Sequence, residues 1–171
     1  MNGQNYVDFF EDIARKNKKI AHSDTRKQFS TYQPEDIMQL GRYELKLRNW
    51  CMCLEWYTLN LRKNGSGQFR DLYPGGFLLL KVPSDLNSID QHQNEAETLA
   101  RQIWARIYKM QYNQNGYLKI QGRPYKFDDT NFEIYRVRGL TENAAGVRVE
   151  FTLAGQTTFC EEYDQEQWLD L

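Results

Sequence analysis

Phe77-Leu78-Leu79-Leu80-Lys81-Val82, closed by Pro83-Ser84-Asp85 and followed by a run from Ser88 to Met110, decides the fold class. Phe77 to Leu80 is an uninterrupted apolar stretch; bounded by turn formers, it reads as a buried strand. It falls far short of the roughly 20 apolar residues that cross a bilayer. In the following run Ile89, Ala96, Leu99, Ala100, Ile103, Trp104, Ile107 and Met110 recur on one side at helical spacing, which predicts a long amphipathic helix.

Upstream, Trp50, Met52, Leu54 and Trp56 alternate with Cys51, Cys53, Glu55 and Tyr57, predicting a strand within Asn49 to Leu61 with one buried face. Tyr6, Phe9, Phe10, Ile13, Ala14 and Ile20 predict an amphipathic helix over Gln4 to Ile20. Pro34 sits well at the first turn of a second, shorter helix through Glu35, Asp36, Ile37 and Leu40, stopped by Gly41. Downstream, the pattern predicts a short strand over Tyr117 to Ile120 and longer ones over Asn131 to Leu140 and Gly146 to Ala154. Thr141 to Ala145 reads as a hairpin turn.

The order of elements specifies an α+β fold: a mostly antiparallel sheet of four to five strands packed against one long helix, with the amphipathic helix at the N-terminus. The 171 residues make one domain, with 155–171 as an acidic C-terminal extension. Arg62 to Gly76, carrying Asn64-Gly65-Ser66-Gly67 and Tyr73-Pro74-Gly75-Gly76, reads as a long connection, as does Gln111 to Thr130. Connections of that length often carry binding function.

Composition narrows the function classes. Twenty-two Lys and Arg against 23 Asp and Glu give a formal charge of -1, so no global field draws the chain onto nucleic acid or an anionic membrane. Three cysteines, two of them one residue apart, have the wrong arithmetic for a disulfide scaffold and fit a reducing compartment. Met1 to Phe10 lacks the pattern of a cleaved signal, so a cytoplasmic setting is expected. In such a setting the acceptor triplet Asn64-Gly65-Ser66 has no meaning.

Catalytic signals are weak. Cys51 and Cys53 lie too close, and lack the second pair, for a zinc site; residues two apart on a strand share a side, so both thiols are expected to pack as small hydrophobes. His92 near Asp90 and Glu95 reads as part of a solvated first turn, and His22 has no nucleophile motif beside it. The glycines at 65, 67, 75 and 76 precede a strand rather than a helix, so they serve turns and not a phosphate cradle. No catalytic residue, metal ligand or cofactor is expected, and no enzyme; an unrecognised site around His92 or the Arg62 to Gly76 loop is the enzymatic alternative.

Charge is unevenly distributed. Arg15, Lys16, Lys18, Lys19, Arg26 and Lys27 cluster near the start, whereas Glu161, Glu162, Asp164, Glu166 and Asp170 are the only charges in the last eleven residues. The basic cluster, followed by Phe29 and Tyr32, is also what a nucleic-acid-associated accessory protein would use, through phosphate contacts and stacking.

Tyr6, Phe9, Phe10, Ile13 and Ala14 leading to Lys19-Ile20 and His22 form one part of a wider pattern. It continues with Leu54-Glu55, Gly76-Phe77-Leu78-Leu79-Leu80, the helix carrying Ala100, Ile103, Arg106 and Ile107, and the strand Gly146 to Phe151. This pattern, from Tyr6 to about Leu153, resembles small proteins of Bacteroidetes prophages and tailed phages, the tail terminator and head-tail neck components. The resemblance implies a tail-terminator-like fold and a non-enzymatic structural subunit of a phage tail or phage-like assembly. It would act as a homo-oligomer, commonly a six-fold ring, contacting tail tube, sheath or neck proteins, in the host cytoplasm during assembly and then in the particle. Its candidate subunit interface pairs Arg15, Lys16, Lys18, Lys19, Arg26 and Lys27 with Glu161, Glu162, Asp164 and Glu166, since unlike charges on one subunit favour head-to-tail contacts that close into rings. Its candidate partner-contacting loop carries Arg62, Lys63, Asn64, Gln68, Arg70 and Tyr73. The acidic tail after Ala154 departs from the family pattern.

Overall fold

The computed structural model describes residues 2–33, 47–63, 69–83, 85, 88–120, 122–138 and 143–156, with backbone only at 63, 69, 129, 130 and 156. Among the described residues two helices and seven strands follow in the order α1 Gly3–Lys16, β1 Phe29–Tyr32, β2 Cys51–Glu55, β3 Asn60–Lys63, β4 Phe69–Lys81, α2 Ile89–Asn113, β5 Leu118–Ile120, β6 Arg123–Arg138 and β7 Ala145–Gln156. The helix proposed after Pro34 lies outside the described residues.

All seven strands join one sheet in the order β1-β2-β4-β7-β6-β5, with β3 pairing β4 beyond β2. The expected sheet of four to five mostly antiparallel strands under one long helix is therefore corrected. The sheet is larger, mixed and curled into a half-barrel, and two helices pack against it. The mixed character comes from β1, which runs parallel to β2 from Phe29 opposite Met52 to Tyr32 opposite Glu55. The curl shows in α1, which touches β1 and β2 at one end of the strand order and β5 at the other.

Helix α1 begins with Asn2, whose side chain accepts the Asn5 N–H at 2.8 Å. It buries Tyr6, Phe10, Ile13 and Ala14. Helix α2 buries Ala96, Leu99, Ala100, Ile103 and Ile107, the helical stripe visible in the sequence. Both stripes enter one core with Met52, Leu54, Phe77, Leu79, Phe127, Val147, Val149 and Phe151 on the inner face of the sheet. The rings of Phe10 and Phe151 stack with centroids 5.2 Å apart, and Trp104 stacks on Phe132 at 4.0 Å. Full burial of each such side chain contributes about 1.5–3 kcal/mol.

Both expected long connections are largely strand. Arg62 to Gly76 contains the end of β3 and most of the pairing of β4 with β7, from Arg70 opposite Gln156 to Gly76 opposite Glu150. Gln111 to Thr130 contains the last turn of α2, all of β5 and the start of β6. Turn formers misled the reading because β4 tolerates Pro74 where β2 hands over to β3. There the Pro74 carbonyl accepts the Thr58 N–H at 3.0 Å, and proline leaves no N–H in need of a partner. Strand β2 also buries both faces rather than one, from Cys51 to Leu54. On the outer face Cys51 and Cys53 join Tyr32, Leu47, Leu78, Leu80 and Ala144 in a second apolar cluster.

Among the described residues no helix is long and apolar enough to cross a membrane.

Candidate functional site

The outer face of the sheet changes character along its strands. Beyond Cys53 and Leu78, the next positions on that face are Glu55 on β2, Gly76 on β4, Arg148 and Glu150 on β7 and Glu133 on β6. Of these, Glu55, Glu133, Arg148 and Glu150 line an open hollow of about 440 Å³ together with Thr58, Asn60, Arg62, Asp128, Asn131 and Thr152.

Glu55 is its best-anchored group. Its side chain is 12% exposed and accepts the Arg148 Nη2 at 2.8 Å and the Tyr32 hydroxyl at 3.1 Å. Burial first, and the nearby Glu55 carboxylate second, push the Tyr32 phenol far above its ordinary value, so it stays a donor. From the inner face, the Tyr6 hydroxyl donates to the Glu55 backbone carbonyl at 3.0 Å. That bond threads the sheet because Gly75 has no side chain: a Cβ there would lie 2.6 Å from Tyr6 Oη. A Cβ on Gly76 would lie 2.6 Å from the Val149 carbonyl oxygen and 3.4 Å from Glu55 Oε2. These two glycines serve close approach within a strand, not the turn expected for them.

Arg148 Nη2 also reaches Glu150 Oε1 at 3.3 Å, while its buried Nε has no hydrogen-bond partner among the described residues. Glu150 stands directly opposite Glu133 in the ladder, a like-charge pairing that is unfavourable unless a cation sits nearby. Glu55, Asp128, Glu133 and Glu150 thus face Arg62 and Arg148, and the hollow carries an excess of acid.

On the helix side lies a groove of about 310 Å³ between the C-terminal end of α1 and α2, lined by Ile13, Lys16, Lys18, Lys19, Gln102 and Arg106. Three of the six expected basic interface residues meet there. Lys16 is already paired with Asp12 at 2.7 Å, whereas Lys18, Lys19 and Arg106 have no ion pair among the described residues. Arg15 is held away by Glu11 at 2.7 Å and Asp24 at 2.8 Å, and Arg26 Nε donates to Gln28 at 3.3 Å. Lys27 is exposed. Glu161, Glu162, Asp164 and Glu166 lie outside the described residues, as does Cys160.

The candidate partner-contacting loop resolves differently. Arg62 and Arg70 are cross-strand neighbours of the β3–β4 hairpin, and Lys63 pairs with Phe69 there. Asn64 and Gln68 lie outside the described residues. Tyr73 lies in the core: it is 3% exposed, packs edge-on against Tyr57 and Tyr125, and donates to Asp71 at 3.0 Å.

The histidines have structural partners. His22 Nδ1 accepts the Gln28 backbone N–H at 3.1 Å, which leaves Nε2 to donate to Glu11 at 3.2 Å. His92, expected in a solvated turn, is 8% exposed, with Nδ1 2.9 Å from the Ser88 carbonyl oxygen and its ring beside Trp50. Cys51 accepts a hydrogen bond from Gln28 at 3.1 Å, and burial pushes its thiol up to about 12. Burial raises Cys53 further. Among the described residues no group of three His, Cys, Asp or Glu is placed to hold a metal ion.

Sequence reasoning missed the hollow. Its signal was present as Arg148 and Glu150 alternating with Val147, Val149 and Phe151, a strand with one charged face. No family model matches the chain, and no curated protein matches it.

Proposed function

We propose that this chain is a non-enzymatic building block that associates head to tail with copies of itself and completes a phage tail or phage-like particle. One observation carries the reading: the acid-rich hollow and the cationic groove lie on opposite sides of one sheet, so each copy offers the complement of what the next presents. Unlike patches on different surfaces of a subunit make heterologous contacts, which close into rings when the rotation permits. Complementary potentials also speed encounter and fix register. The assignment to a tail terminator, tail completion or neck role, and to a six-fold ring with tail tube, sheath or neck partners, rests on the sequence resemblance alone.

The test is native mass spectrometry with light scattering at low salt. A closed oligomer is expected for the natural chain. The single charge reversals Lys18→Glu and Glu133→Lys should each dissociate it, and an equimolar mixture of the two variants should recover only the contact between unlike partners. A monomer at every concentration, with the mixture no different, would sink the proposal.

A further inference from the structure

From Thr98 to Phe127 the chain contains no aspartate or glutamate, yet it carries Arg101, Arg106, Lys109, Lys119, Arg123 and Lys126. The first half of α2 is the reverse, with Asp90, Glu95 and Glu97, the last of which holds Arg136 at 2.6 Å. Cations near a helix C-terminus often complement its dipole, but α2 has no basic residue in its last turn, so the dipole does not account for this segregation.

Exposed aromatic side chains occur in the same stretch of chain. Tyr108 is 53% exposed, Tyr112 76% and Tyr117 46%, three of the large hydrophobic residues that the fold leaves in solvent. Tyr108 and Tyr112 stand one turn apart, about 6 Å along the helix axis. Neither hydroxyl has a hydrogen-bond partner among the described residues. A tyrosine that contributes to stability normally buries its ring or ties down its hydroxyl, as Tyr6, Tyr32 and Tyr73 do here. Arg106, on the same helix, lines the groove that holds Lys18 and Lys19.

We infer that the exposed face of α2, from Arg101 to Tyr112, binds single-stranded nucleic acid. Arg101, Arg106 and Lys109 track the phosphates, and Tyr108 and Tyr112 stack on unpaired bases. A cationic track alone fits any polyanion; the exposed rings beside it are what favour nucleic acid over an acidic protein, because every base offers a face to stack on. The site differs from the N-terminal basic cluster, where Arg15 and Lys16 are already engaged by carboxylates. It goes beyond the assembly reading and does not depend on it.

Fluorescence anisotropy of a labelled oligothymidylate tests it on the full chain. Binding should weaken with salt along a log–log slope of about -2, from three phosphate contacts at ~0.7 each. Tyr112→Ala, a change at an exposed position, should weaken binding on the order of tenfold with thermal stability unchanged. Lys109→Glu should weaken binding and make the slope shallower. Each of three results overturns the inference: no anisotropy change at low salt, no effect of Tyr112→Ala, or equal competition by polyglutamate at matched charge. Lys18 and Glu133 stay intact throughout, so failure here leaves the head-to-tail contact to its own test.

Discussion

On the inner face of the sheet Phe10, Phe77, Phe127 and Phe151 meet ring against ring, whereas on the outer face the same strands pass from Cys53 and Leu78 to Glu55, Arg148 and Glu150 within two residues. The inner face is satisfied by contact alone, and any residue of the right size and apolarity would serve it. The polar part of the outer face needs particular partners: a phenol, a guanidinium and two missing side chains let one carboxylate sit 12% exposed. Packing explains why the protein folds; the polar hollow is where the fold carries groups that packing does not require.

The sharpest way to break this contrast is inside the aromatic cluster. Phe10→Ala removes a fully buried ring that meets Tyr6, Phe9, Phe77 and Phe151, and should cost about 3–5 kcal/mol, read from the urea midpoint at unchanged slope. Gly75→Ala drives a methyl against Tyr6 Oη and should cost about 1–3 kcal/mol. Combining it with Tyr6→Phe, which deletes that oxygen, should recover part of the loss; strict additivity would show that the hydroxyl is not the obstacle.

Glu55→Gln keeps the shape of the outer-face anchor and removes its charge, and should destabilise by about 1–2 kcal/mol. Adding Arg148→Leu should restore some stability, because the guanidinium left without its main partner goes with it. Arg148 is a third exposed, so solvent screening keeps the effect at the low end.

At neutral pH the smallest effect is expected at Cys51, whose contribution changes only in alkali. Cys51 ordinarily titrates near 9.0, and burial holds it neutral up to about 12. A folded state that keeps a proton which the unfolded chain releases loses stability as pH rises from about 9 toward 12, and loses nothing below that window. Urea unfolding at neutral and alkaline pH should therefore show a steeper decline for the natural chain than for Cys51→Ala. In the native protein Cys51 and Cys53 should also resist thiol reagents until denaturant is added.

The two faces were unequally legible in the sequence. Helix α2 was visible because Leu99, Ile103 and Ile107 repeat with the helical period against charged neighbours. The core end of β4, Phe77 to Leu80, was visible as an apolar run. Its other end was not, since Tyr73-Pro74-Gly75-Gly76 carries every local mark of a turn, and only β7 alongside it, together with the hand-over between β2 and β3, makes those residues extended. The parallel entry of β1 was illegible for a similar reason: four residues with no clear period gain their identity from Cys51 to Glu55, far along the chain. The hollow is a product of that tertiary pairing. Glu55, Glu133 and Arg148 are ordinary charges in the sequence and become neighbours only when β2, β6 and β7 reach one sheet.

Strands β4 and β7 stay in register over twelve consecutive positions, from Arg70–Gln156 to Lys81–Ala145. At about 3.3 Å per residue they form a ribbon roughly 40 Å long. Such a ribbon behaves as a beam: its length is set by backbone geometry rather than by side-chain choice. It joins the β3 pairing at one end of the sheet to the segment that leads into α2 at the other, and substitutions on its flanks change what it touches without changing its span.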